Sequence, residues 1–162
     1  EISHHFDDQG AKYNSEGRLS DWWSAQDVRN FEAFQGVLGA QYDAYEPLPG
    51  MHVQGKLTMG ENIADLAGLT MAYDAYKASL GGREAPVIDG FTGDQRFYLG
   101  WAQVWRRSYR EANLRQRLLT DSHSPSEQRV AVVRNLDPWY GAYDVSTDDT
   151  LYLAPERRVR IW

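Results

Sequence analysis

Cysteine is absent from this 162-residue chain, which excludes both a disulfide framework and a thiolate metal site. Its absence is compatible with a bacterial cytoplasm or periplasm and does not choose between them. Also missing is any run near the roughly 20 apolar residues that a membrane-spanning helix needs, so no membrane insertion is expected from this segment. An excess of basic residues is missing too: 17 Lys and Arg stand against 23 Asp and Glu, for a net charge of −6. A nucleic-acid partner usually requires a basic face, and none is expected here. The densest basic stretches are Trp105-Arg106-Arg107 and Glu156-Arg157-Arg158-Val159-Arg160, and each reads as solvated helix or tail surface.

Aromatic residues are plentiful, with six Trp and ten Tyr in a chain long enough to bury one core. Apolar spacing is helical nearly throughout, and neither internal repeats nor low-complexity linkers are visible, so residues 1–162 read as one mainly α unit. Glu1 to Phe6 reads as the tail of a helix, released by Asp7-Asp8-Gln9-Gly10. Ser20 or Ser24 can cap a long helix to about Tyr45, with Val28, Phe31, Phe34, Leu38 and Tyr42 three or four residues apart. Pro47 to Gly50 breaks it, and Met51 to Leu57 reads as a short extended piece. A second helix is predicted from Glu61 to about Leu80, using Ile63, Leu66, Leu69, Ala72 and Tyr73 and ending at Gly81-Gly82. A third is capped by Thr92 or Asp94 and carries Phe97, Leu99, Trp101, Val104 and Trp105. A fourth covers about Glu111 to Leu119, and a fifth takes Pro125 in its first turn and runs through Val133. The stretch from Asp137 to Trp162 is turn-rich.

Two clusters carry candidate chemistry. In Glu1-Ile2-Ser3-His4 the Glu and second His of a helical zinc-peptidase motif are present, and the motif's first His would precede Glu1. Alone, Glu-x-x-His is a weak signal, and a solvent-facing helix end is the better reading of it. Gly60-Glu61-Asn62-Ile63-Ala64-Asp65 places two carboxylates four residues apart, hence on one helical face. They suit a charged first turn, or they make Glu61 a metal ligand and Asp65 the acceptor that orients a ligand imidazole. Two His and one Glu form a catalytic zinc set that keeps a position open.

The string EISHHFDDQGAKYNSEGRLSDWW, then LTMGENIADLAGL, WAQVW, and DSHSP followed by Arg129 resembles the neprilysin and endothelin-converting-enzyme family of zinc peptidases in order and spacing. The resemblance covers essentially the whole chain. It implies the carboxy-terminal part of a thermolysin-like catalytic domain and a zinc endopeptidase acting on short peptides, on the amino side of hydrophobic residues. Glu1 matches the general base that takes a proton from zinc-bound water, which then attacks the scissile carbonyl. His4 and Glu61 match zinc ligands, and Asp65 matches the acid that orients the first ligand His. His123 matches the histidine that stabilises the oxyanion, and Asp121, two residues earlier, is a carboxylate suited to hold it. Arg129 matches the arginine that grips a substrate carbonyl, a task its fork of donors suits better than Lys would. Trp105 matches an aromatic wall of the pocket for the side chain after the scissile bond. Asp7 and Asp8 read as turn formers, one of which could orient His4; His5 and His52 have no motif support.

The chain departs from the family in two ways. The family's upstream covering domain and substrate-aligning edge lie outside this sequence, and the Cys-containing tail of animal members is replaced by one ending Arg160-Ile161-Trp162, which points to a bacterial member. With His4 and Glu61 alone, one zinc ion would find an incomplete set, so the chain is expected to be inactive or impaired without the upstream part of the same polypeptide. The alternative reading is a catalytically inert helical fragment or interaction module. Periplasmic or secreted placement is favoured over cytoplasmic.

Overall fold

The computed structural model describes residues 2–161, leaving Glu1 and Trp162 outside the described residues. Six α-helices follow in order: α1 (Ala25–Asp43), α2 (Met59–Ser79), α3 (Gly93–Val104), α4 (Glu111–Thr120), α5 (Ser126–Val130) and α6 (Asp137–Tyr143). Short 3₁₀ turns cover Ile2–Phe6, Gly10–Lys12, Ala131–Asn135 and Pro155–Arg157. Among the described residues there is no strand, only isolated bridges such as Leu48 to Met51. No described helix is long and apolar enough to cross a membrane.

Local chemistry explains the boundaries. Ser24 adopts extended backbone and its hydroxyl accepts the Asp27 N–H at 3.1 Å, satisfying one orphan donor at the start of α1. Thr92 does the same for α3 and completes a capping box with Gln95, with reciprocal bonds of 3.2 and 3.0 Å. After α2, Gly81 and Gly82 take φ of +58° and +78°, a left-handed exit that glycine adopts without strain.

Helix α2 runs through the centre. Met59, Ile63, Leu66, Leu69 and Tyr73 join Leu38 and Tyr42 of α1, Tyr98 of α3, Leu118 of α4 and Val132, Val133 and Leu136 beyond α5. Several expectations change. Val28 and Phe34 of α1 are exposed at 40% and 41%, and Val104 of α3 at 72%, so only part of each apolar pattern is buried within these residues. In the stretch Met51 to Leu57, Met51 makes an isolated bridge to Leu48, residues 52–54 have no regular structure and Gly55 to Leu57 form a turn. The helix predicted through Val133 is α only to Val130 and tightens to 3₁₀ over Ala131–Asn135, while Pro125 precedes its first turn instead of entering it. Ile2–Phe6 is likewise 3₁₀.

The terminal segment is solvated at Glu156, Arg157 and Arg160, as expected, but it also anchors to the core. Val159 and Ile161 are buried, and the Arg158 guanidinium lies 3.5 Å from the Tyr140 ring centroid while pairing with Asp137 at 2.7 Å. A buried amide pair clasps it. Gln41 and Asn135 exchange two hydrogen bonds of 2.9 Å, and Asn135 Oδ1 also accepts the Val159 N–H at 2.9 Å. Asn135→Ala would leave the Gln41 amide and the Val159 N–H without these partners. The expected cost is about 1–3 kcal/mol for each orphaned group, measurable by urea denaturation; a change within error of wild type would show that water replaces the clasp.

Candidate active site

Glu61 sits in the first turn of α2, and both its oxygens approach an imidazole. His4 Nε2 lies 3.7 Å from Glu61 Oε1, and His123 Nε2 lies 3.2 Å from Glu61 Oε2. The two histidines arrive from opposite ends of the sequence, and each is held by a nearby carboxylate through its other ring nitrogen. His4 Nδ1 donates to Asp7 Oδ2 at 2.7 Å, and His123 Nδ1 donates to Asp121 Oδ1 at 2.9 Å. A carboxylate at Nδ1 fixes that nitrogen as the protonated one and aims Nε2 elsewhere.

Both holding carboxylates are themselves fixed by local turns. Asp7 Oδ1 accepts the N–H groups of Gln9 and Gly10 at 2.9 and 2.8 Å. Burial pushes the Asp7 carboxyl up, but the Gly10 N–H, the His4 imidazole and the Gln9 N–H outweigh it and hold it below the ordinary carboxylate value. Glycine is needed once in the turn and again where the turn meets α2. A Cβ at Gly10 would sit 1.9 Å from the His4 carbonyl oxygen, and one at Gly60 would sit 2.9 Å from Asp7 Oδ2. Asp121 works similarly, accepting the His123 N–H at 3.0 Å and pairing with Arg117. Burial opposes its ionisation, and His123 and Arg117 overcome that and lower its pKa.

Asp65, one turn after Glu61, is buried and forms a two-pronged pair with Arg129 of α5, Nε to Oδ2 and Nη2 to Oδ1, both at 2.7 Å. Burial raises the Asp65 carboxyl against the opposing pull of Arg129. Burial works against the Arg129 cation too, and the Asp65 hydrogen bonds and charge more than compensate, holding it above its ordinary value. The Arg129 guanidinium also stacks on Trp105, 3.8 Å from the ring centroid.

The residues singled out by sequence thus fall into one region: His4, Glu61 and His123 in one contact group, Asp65, Arg129 and Trp105 in an adjoining one. Glu1 lies outside the described residues. Asp121 is the partner of His123, and Asp7, not Asp8, is the partner of His4. His5 and His52 are exposed and bond to main-chain oxygens. Sequence reasoning passed over Asn62, Ser124 and Tyr109, which are hydrogen-bonded directly behind the site. The available signal was Asn62, a polar side chain on the apolar face that carries Ile63 and Leu66.

The donor atoms suit zinc. On a tetrahedral ion with bonds of about 2.0–2.1 Å, two donors stand about 3.4 Å apart; His4 Nε2 and Glu61 Oε1 are within a few tenths of an ångström of that. Among the described residues no group of three or more His, Cys, Asp or Glu converges as a complete metal site. A groove of about 850 Å³ beside His4, lined also by Tyr13, Asn14 and Trp22, is large enough for part of a peptide.

A helical frame thus brings imidazole and carboxylate together beside an arginine fork. The chain belongs to Peptidase family M13, whose family model matches residues 1–159. It is 36% identical over 163 residues to a neutral endopeptidase of Lactococcus lactis subsp. cremoris and 36% over 169 residues to human neprilysin. Both alignments cover all of this chain, but 24% and 22% of those proteins. Its fold superposes on the zinc metalloprotease Zmp1 of Mycobacterium tuberculosis in complex with inhibitor with a TM-score of 0.96 at 54% identity, covering 100% of this chain and 26% of that one. PepO from Lactobacillus rhamnosis superposes with a TM-score of 0.83 at 35% identity, over 24% of its length. The chain therefore spans about a quarter of the relatives it matches.

The Asp65–Arg129 pair yields a direct test. Arg129→Ala should destabilise by about 3–5 kcal/mol, because it strands a buried carboxylate. Adding Asp65→Asn should recover part of that loss, and Arg129→Lys should be intermediate, since a point charge cannot fill both prongs. Additive effects of the two substitutions in urea melts would refute the coupling.

Proposed function

We propose that this chain is part of a zinc-dependent endopeptidase that hydrolyses short peptides, with His4 and Glu61 among the protein ligands of one zinc ion. The observation that carries this reading is the pairing of His4 Nε2 with Glu61 Oε1 at 3.7 Å. With Nδ1 donating to Asp7, the neutral ring leaves a lone pair on Nε2, opposite an acceptor oxygen. A cation between two such atoms satisfies both. The remaining His ligand is the residue before Glu1 in the intact polypeptide, as the family resemblance implies, and Asp65 is the carboxylate that orients it. After its two bonds to Arg129, Asp65 keeps lone pairs for that purpose.

Zinc held there supplies Lewis acidity, polarising a peptide carbonyl and lowering the pKa of water from about 15.7 toward about 7. Glu1 is the general base that takes a proton from the attacking water. His123 donates to the carbonyl oxygen as negative charge develops on it. Its Nδ1 is engaged by Asp121, so Nε2, 3.2 Å from Glu61 Oε2, is the ring nitrogen that faces that oxygen. Arg129 spends two of its five donors on Asp65 and keeps others for a main-chain carbonyl. Trp105, stacked beneath the guanidinium, fixes its plane and forms a wall for the side chain after the scissile bond. Short peptides are the substrates, and the upstream part of the same polypeptide completes the cleft.

The intact polypeptide, purified with zinc supplied, is expected to carry about one equivalent and to cleave a short peptide in a chelator-sensitive way. His4→Ala and Glu61→Gln should lose the zinc. His123→Ala should keep it while kcat falls by about 10²–10³-fold, the usual loss for one oxyanion donor. Cleavage that survives chelation, or zinc that survives both ligand substitutions, would overturn the assignment. The 162 residues alone should bind zinc weakly and cleave little or nothing; robust cleavage by them would refute the two-ligand reading.

A further inference from the structure

Glu61 and His123 belong to different segments, yet the residues immediately after them are joined. Asn62 and Ser124 are buried, at 0% and 3% exposure, and Ser124 Oγ donates to Asn62 Oδ1 at 2.8 Å. The chain continues inward: Asn62 Nδ2 donates to Thr58 Oγ1 at 2.8 Å, and Thr58 Oγ1 donates to the Gln54 carbonyl at 3.1 Å. Each hydroxyl has a single proton, so the direction of the whole chain is fixed. Thr58 gives its proton to Gln54 and must accept from Asn62. The Asn62 amide nitrogen is thereby committed, which turns its oxygen toward Ser124. On the far side of Pro125, the Tyr109 hydroxyl accepts the Ser126 N–H at 3.2 Å and shares a 2.8 Å bond with Ser126 Oγ. The segment from Ser124 to Ser126 is therefore held from both sides.

A neutral buried pair adds little net stability, because its members bond to water in the unfolded chain. What it adds is a set distance and direction. We propose that Asn62 and Ser124 are positioning residues, a buried tether that fixes the spacing between the Glu61 carboxylate and the His123 imidazole. Their backbones are one bond from those two residues, so any slip of the 121–126 turn along α2 moves the imidazole relative to the carboxylate. This inference rests on the peptidase roles proposed above for Glu61 and His123. A displacement of about 1 Å in such a site can cost roughly 100-fold in rate.

The test uses the intact, zinc-loaded polypeptide. Ser124→Ala and Asn62→Ala should lower kcat by about 10–100-fold, with KM and zinc content unchanged. In a His123→Ala background they should cost nothing further, because the tether acts through that ring. Ser124→Thr, which keeps the hydroxyl, should retain more activity than Ser124→Ala. Wild-type activity in Ser124→Ala, equal losses in both backgrounds, or a loss that tracks zinc content would overturn the proposal. If Asn62→Ala does not fold, Ser124→Ala carries the test. A crystal structure of Ser124→Ala gives a readout independent of turnover: the imidazole should move from Glu61 by about 1 Å, and an unchanged separation refutes the tether. Absence of zinc-dependent cleavage by wild type would sink the peptidase reading instead, while the Ser124→Ala structure would still decide the tether.

Discussion

Burying the Asp65 carboxylate costs more than any single apolar contact in this core returns, unless its charge is matched, and Arg129 is the match. That requirement organises the surrounding helices. Asp65 lies on α2 among Ile63, Leu66 and Leu69, so the helix cannot rotate without dragging the carboxylate away from its partner. Arg129 is held to α5 by its own backbone and to Trp105, the residue that closes α3, by stacking. One ion pair thus fixes the relative placement of three helices, and it does so one turn from Glu61. Its contribution is geometric more than energetic, since an apolar replacement of similar shape can be as stable.

Around that fixed point the two histidines solve the same problem with different turns. His4 uses a carboxylate three residues later and His123 one two residues earlier, and in both cases the carboxylate is locked by main-chain N–H groups. Each imidazole is therefore oriented by a bond local to its own turn. The arrangement costs little locally, because short turns bring the partners together without loop closure over long distances. Convergence of the two on Glu61 depends on longer contacts: the packing of Ile2–Phe6 against α2, and the Asn62–Ser124 bond that joins α2 to the turn before α5.

Much of this was legible in the residue pattern, and the parts that were not share a cause. Spacing of three and four located α1 to α4 because a one-sided apolar stripe on a helix is a strong periodic signal. The caps were readable to within two candidates each, Ser20 or Ser24 and Thr92 or Asp94, because the cap is local, and the structure selects Ser24 and Thr92. Glu61 and Asp65 stood out as carboxylates four residues apart, whereas His4 and His123 gained their roles only through the family resemblance. The Asp65–Arg129 pair was not foreseen, although both residues were named, because 64 positions separate them and sequence alone does not state which carboxylate a guanidinium will meet. Arg158 was misread for the same reason: its partners in space, Asp137, Tyr140 and the Leu153 carbonyl, all lie outside the charged run it belongs to. Asn62 on an apolar helix face was a signal by itself, but its pairing with Ser124 was not legible, because 62 positions separate them.

The apolar pattern on α1 carries a different lesson. Phe31, Leu38 and Tyr42 are buried, whereas Val28, Phe34 and Val37, on the flanks of the same stripe, are exposed at 40–45%. Scattered exposed apolar residues are ordinary, but here Val28 and Phe34 flank the buried stripe on either side, and each lines a groove together with Trp22. Periodicity records which faces are suited to burial, without saying what buries them. A chain that spans about a quarter of its relatives can hold a complete core around α2 and still show part of a second apolar surface on α1. The site follows the same division: His4, Glu61 and His123 are fixed by contacts within these residues, so the geometry around Glu61 is set by α2 and its two turns, whatever α1 packs against.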